Sequence, residues 1–262
     1  MRRARGFTLI ELITVIVIVG ILATMTTDII TLPVRSYFDL QRRATLVDNA
    51  ESALRLMQRD IRRALPNSIR ITGDSTVKVL ELLHTSDGGR YRAKLSDGSD
   101  NILDFTAADS SFDVIGSLNT APTGQVVIYN LGEVSADAYA GNNRAGIANT
   151  STTDRIDLSA AKLFPLQSPQ QRFFVVDTPI TYRCDLTNHN LMRYAGYTIS
   201  SAQPNPPAVS GQLQANNVSA CAFSYSSATA TRSGLATLQL TLTDAAGESS
   251  TLIRQVHVDN AP

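Results

Sequence analysis

The sequence predicts an α+β protein, with one long N-terminal helix laid across an antiparallel β-sheet head. Residues 7–25 are apolar apart from Glu11, over a length that can cross a hydrocarbon core as a helix. Beyond Asp28 apolar residues recur at helical spacing as far as Pro66. After Pro66 the period falls to two, the pattern of strands with one buried face.

The helix is expected to run from Phe7 to about Leu65 and to stop at Pro66, which lacks an N–H and crowds the preceding turn. At 1.5 Å per residue it would be roughly 85–90 Å long. Its first half is greasy on every side. The second half carries one stripe, Val34, Phe38, Val47, Ala50, Leu54, Met57, Ile61 and Leu65, with Arg and Asp between. That stripe is expected to pack on the protein's own sheet, because the heptads are too few for a coiled-coil partner. Pro33 is expected to kink or locally melt the helix.

Short strands are expected over 68–71, 77–83, 102–106, 126–130, 173–177, 180–185, 190–194, 218–226, 235–243 and 251–259. Near the end Leu238, Leu240 and Leu242 share one face and Gln239, Thr241 and Thr243 the other, and Asp244-Ala245-Ala246-Gly247-Glu248 reads as a hairpin loop. Residues 132–154, rich in Gly, Ala, Asn, Ser and Thr, read as a surface excursion. Residues 202–211, with Pro204, Pro206 and Pro207, read as another loop. No internal repeat is evident.

Formal net charge is zero, which gives no support to a general nucleic-acid binder. The charges are uneven, however. Arg2, Arg3 and Arg5 precede the apolar run with no acid among them. Residues 34–66 carry seven Arg and four acids, and from Asn67 onward 13 basic residues face 17 acidic ones. Two cysteines occur, Cys184 and Cys221, with 36 residues between them. In an exported head one disulfide is the economical reading, contributing about 3–4 kcal/mol through loop entropy; two buried free thiols are the alternative.

Three basic residues before the apolar run should stay cytoplasmic and place the C-terminal body outside. A secretory signal shares that layout, but an acid inside its apolar region is unfavourable, and Gly20-Ile21-Leu22-Ala23 gives no small-x-small cleavage site. No cysteine follows the run to make a lipoprotein signal. A plain signal anchor leaves Gly6, directly before Phe7, and Glu11, four residues on, unexplained.

Gly6-Phe7-Thr8-Leu9-Ile10-Glu11-Leu12 after a short basic leader closely resembles the N-terminal signal of type IV pilins and type II secretion pseudopilins. The resemblance implies cleavage after Gly6 by an inner-membrane prepilin peptidase and N-methylation of Phe7. It also implies a retained apolar helix, and pairing of Glu11 with the new α-amino group of its own subunit or a neighbour, which sets register during assembly. A carboxylate there sits near the interface and within the first turns, where the helix dipole favours negative charge. The division implied is a leader over 1–6, a membrane and assembly helix over 7–30, an amphipathic continuation over 31–66, and an exported β-rich head over 67–262.

That head exceeds many pilin heads, which leaves room for inserted loops or a second small sheet. Its ending, with Cys221-Ala222-Phe223-Ser224-Tyr225 before Arg254-Gln255-Val256-His257-Val258-Asp259, is similar to the larger minor pilins of mannose-sensitive haemagglutinin pili and to J-type minor pseudopilins. Major pilins usually carry a proline where this chain has Asp28, a departure that fits a minor component better. The partners implied are the prepilin peptidase, the inner membrane, and other major and minor pilins, with no nucleic acid. A tip adhesin using the 132–154 and 202–211 loops is the rival of a different class.

No active site, cofactor or metal is expected. Gly73-Asp74-Ser75 lacks the Asp-x-x-His and GxSxG context of a serine esterase and reads as a turn. His84, His189 and His257 are isolated in sequence. Asp87-Gly88-Gly89 and Asp97-Gly98-Ser99-Asp100 lack full calcium-loop spacing and read as solvated turns.

Overall fold

The computed structural model describes residues 6–95, 100–229 and 232–258, without the side chains of 27, 28, 30 and 32. Arg2, Arg3 and Arg5, the Asp97-Gly98-Ser99 turn, the side chain of Asp28 and residues 259–262 lie outside that description.

Helix α1 spans Leu9–Arg62, 54 residues. It begins two residues later than expected because Thr8 caps it: the Thr8 backbone is extended, and its Oγ1 accepts the Glu11 N–H at 3.4 Å. The helix continues unbroken through Pro33, so the expected local melting is absent. It also stops three residues before the expected end. The strand that follows takes over the backbone there. Thr85 N–H donates to the Arg63 carbonyl at 2.9 Å, and Leu65 N–H to the Leu83 carbonyl at 2.8 Å. Sheet bonds thus replace the next helical turn before Pro66 can end it.

The head is antiparallel and contains two sheets, as an α+β architecture requires. The larger is organised by two long strands, β2 (Val77–Tyr91) and β7 (Arg172–Asp185), paired from Val77↔Asp185 to Arg90↔Arg172. Register shifts between Leu83 and Asp87 divide this ribbon into two halves. Beside the first half lie β1 (Arg70–Gly73), β8 (Asn190–Ala195) and β9 (Gln212–Asn216). Beside the second lie β3 (Asp109–Ile115), β4 (Gln125–Ile128), β5 (Arg144–Gly146) and β6 (Arg155–Lys162). The smaller sheet is a meander of β10 (Val218–Ser226), β11 (Leu235–Thr243) and β12 (Ser249–His257).

Expected strands 173–177 and 180–185 are one strand, because Pro179 sits beside the register shift, where a missing ladder donor is tolerated. The expected strand over 102–106 is a loop. Asp104 Oδ1 accepts the Thr106 N–H at 2.6 Å and its hydroxyl at 2.7 Å, a local alternative to a ladder. Within 132–154 the surface excursion is only partial: Ala136, Ala138 and Tyr139 are buried, and β5 pairs with β4.

Two main cores result. Near the helix, Leu46, Ala50, Leu54, Met57 and Ile61 pack against Leu80, Leu82, Ile180 and Tyr182 of the large sheet and Leu238, Leu240 and Val256 of the small one. Burying each of the larger side chains contributes about 1.5–3 kcal/mol. Farther out, Tyr91, Phe112, Phe164 and Phe173 form a second, aromatic core. The Cys184–Cys221 disulfide joins β7 to β10, so it fastens one sheet to the other beside the helix.

Candidate functional site

The helix has two unlike halves. From Leu9 to Thr26 none of the apolar window is buried, and its 18 residues are long and apolar enough to make it a candidate membrane span. From Leu46 to Ile61 the inward face is buried in the head. Between them Val34, Tyr37, Phe38 and Leu40 are exposed, and so is Val47, so the head covers the expected stripe only from Ala50 onward, with Leu46 rather than Val47 on the buried face. The head grips the helix by polar contacts as well. Arg254 of β12 donates from Nη2 to both carboxylate oxygens of Glu51, at 2.7 and 2.8 Å, and from Nη1 to Gln58 Oε1 at 2.8 Å. Buried Asp60 accepts from the Tyr182 hydroxyl at 2.7 Å and from Arg193 at 2.8 Å. At the lower rim of the head, Asp244 lies 3.3 Å from Arg42, and Glu248 3.9 Å from Arg43. The β11–β12 hairpin therefore marks where the helix leaves the head.

At the far end of the helix the expected site residues stand together. Gly6, Phe7 and Thr8 are non-helical, exposed and immediately N-terminal to the first turn. A side chain at Gly6 would meet nothing within 4 Å, so no contact among the described residues demands glycine there. Phe7 is 76% exposed, so none of the described residues shields it. Glu11 is at the third helical position and has no ion pair among the described residues. Thr8 and Glu11 have the spacing of a capping box, Ser/Thr-x-x-Glu, in which the third-position carboxylate can turn back toward the cap. That signal was present in Thr8-Leu9-Ile10-Glu11 and is a further reason for an acid at this place.

Other singled-out residues are dispersed. Gly73-Asp74-Ser75 forms the expected turn: Asp74 Oδ1 accepts the N–H groups of Thr76 and Val77 at 2.7 and 2.9 Å. The bond from Thr76 N–H is the main cause that pulls the Asp74 carboxyl down to about 2. His84 bonds Asp177 at 2.9 Å, and His189 lies 3.1 Å from the Val218 carbonyl. Asp87-Gly88-Gly89 is part of strand β2, which corrects its reading as a turn. No group of three or more His, Cys, Asp or Glu side chains that could hold a metal occurs among the described residues.

Residues 1–27 match the model of the prokaryotic N-terminal methylation motif. No curated protein and no solved structure matches the chain. The motif covers the exposed end of the helix and stops where the membrane-length window stops. The chain thus carries the N-terminal signature of type IV pilin-like proteins on a long-helix α+β fold.

Proposed function

We propose that this chain is a minor type IV pilin, of the kind represented by the O-type minor pilin of mannose-sensitive haemagglutinin pili. In this reading it is cut after Gly6, methylated on Phe7 and held in the inner membrane by one span, with its N-terminus cytoplasmic and its head periplasmic. It then joins a pilus or its tip. Its work is assembly rather than catalysis.

The observation that carries the reading is a carboxylate, Glu11, in the first turn of an apolar helix whose sides are bare, behind an exposed Phe7. Cleavage there leaves an α-amine just before a helix N-terminus, where the dipole disfavours positive charge. The amine is cationic near neutral pH, with an unperturbed pKa of about 7.7–8. A first-turn carboxylate, of the same subunit or of the neighbour packed against it, supplies the missing counter-charge. Within a bundle of apolar helices, losing either partner would leave the other charge buried and uncompensated, so the pair fixes which helices can sit together. The bare helix itself moves from lipid to neighbouring helices by van der Waals packing.

The test is incorporation. Glu11→Ala should be cleaved as wild type but recovered in sheared filaments at a small fraction of the wild-type amount. Equal recovery would remove the role assigned to Glu11.

A further inference from the structure

A cleft of about 740 Å³ lies where the end of α1 meets the register break of β2 and β7. Its walls include Arg62, Arg63, Ser86, Gly88, Arg90 and Arg172. Thr26 to Arg62 is 36 residues of helix, so the cleft stands roughly 54 Å beyond the membrane-length segment. Four guanidinium groups thus border one concavity at the distal end of the helix.

Three of these cations, Arg62, Arg63 and Arg90, have no ion pair among the described residues. Arg90 and Arg172 are direct cross-strand partners, and like charges directly opposite destabilise a sheet. Arg90 itself reaches the neutral Gln170 carbonyl at 3.1 Å. Asp87, the acid in the cleft wall, accepts instead from the backbone N–H groups of Gly88 and Asn119. The negative end of the helix dipole accounts for Arg59 and Arg62 in its last turn, but not for Arg90 on β2.

The cleft also borders an open strand edge. On the side of β2 away from β7, β1 covers Lys78 to Glu81, Ala64 bridges to His84, and β3 begins only at Arg90. Thr85 N–H is taken by the Arg63 carbonyl. From Ser86 to Gly89 no strand lies alongside among the described residues. Apart from the Gly88 N–H, which Asp87 Oδ1 holds, this edge offers hydrogen-bonding groups at peptide spacing, which an extended chain can match and a nucleic acid or glycan cannot. Arginine forks match carboxylates bidentately.

We propose that this cleft binds an extended acidic peptide segment of a protein partner, which adds to the Ser86–Gly89 edge and places its carboxylates on Arg62, Arg63 and Arg90. The assignment is independent of the assembly role given to Glu11. The experiment uses the full chain in detergent micelles and a fluorescein-labelled short peptide alternating glutamate and serine, followed by anisotropy. A labelled thymidylate oligomer and a peptide alternating lysine and serine are run beside it. The acidic peptide should bind, and Arg62→Gln and Arg90→Gln, both exposed side chains, should each weaken it about tenfold with unchanged thermal melting. In the unmodified chain, saturating peptide should slow amide exchange of Ser86–Gly89. No binding of the acidic peptide, equal or tighter binding of the thymidylate oligomer, or protection confined to other segments overturns the proposal.

Discussion

The two ends of α1 share one backbone conformation and answer to different surroundings. At the distal end Leu54, Met57 and Ile61 are wholly buried, and Asp60 has two partners inside the head. At the proximal end Leu9, Ile16 and Ile18 are more than half exposed, and Glu11 has no ion pair among the described residues. A helix built this way is half a finished core and half an unfinished one. No described residue completes the second half, and its length and composition suit a membrane span.

That contrast gives a ranked set of expected effects. Leu54→Ala or Met57→Ala should destabilise the head by about 2–5 kcal/mol, read from chemical unfolding in detergent. Ile16→Ala, an equal or greater loss of apolar surface at the other end, should leave the head's unfolding within about 0.5 kcal/mol of wild type. Similar losses at both ends would erase the distinction between them. Replacing both Cys184 and Cys221 by Ser should cost the head about 3–4 kcal/mol, through loop entropy and loosening of the two sheets. An unchanged midpoint would mean that the sheets are held without the staple.

Smaller effects sharpen how the head holds the helix. Arg254→Ala removes both bonds to Glu51 and the bond to Gln58, and should cost about 1 kcal/mol, since both ionic side chains keep some contact with water. Arg55 first, and Arg254 next, hold the Glu51 carboxyl below its ordinary range. A depressed folded-state pKa gives stability that is fully present above the unfolded value and is lost as pH falls through the folded one. The melting difference between wild type and Glu51→Gln should therefore be constant near neutrality and shrink below about pH 4. A difference that grows on acidification would contradict that assignment.

Much of the architecture was legible in the chain because side-chain period follows burial. Alternation at Leu238, Leu240 and Leu242 located β11 to the residue, and those three side chains are fully buried. Strand β10 had the same clarity. Strands β5 and β9 were not recognised, because Arg-Ala-Gly and Gln-Leu-Gln-Ala-Asn lack β-branched or aromatic residues and owe their form to neighbours; in β6 the alternation of Ile156 and Leu158 is too short, and Ser-Ala-Ala-Lys after it carries no strand signal. The β3 segment hid behind polar Asp109, Ser110 and Ser111, while the more apolar stretch before it became a loop around Asp104.

For the functional end the balance differs. Gly6, Phe7 and Glu11 could be read by local pattern because nothing distant shapes them; the fold adds the Thr8 cap and the exposure. The arginine cleft could not be read that way. It combines the end of a helix with residues from β2 and β7 that lie far apart in sequence, and only the Arg90↔Arg172 register brings them together.

The central claim is that the exposed end of α1 is a processed assembly surface, and the mature N-terminus tests it most directly. Mass spectrometry of the protein recovered from its native membrane or filament should find a chain that begins at Phe7 and carries one N-methyl group. A chain that retains Met1, or one that begins beyond the apolar segment near Thr24, would contradict the account.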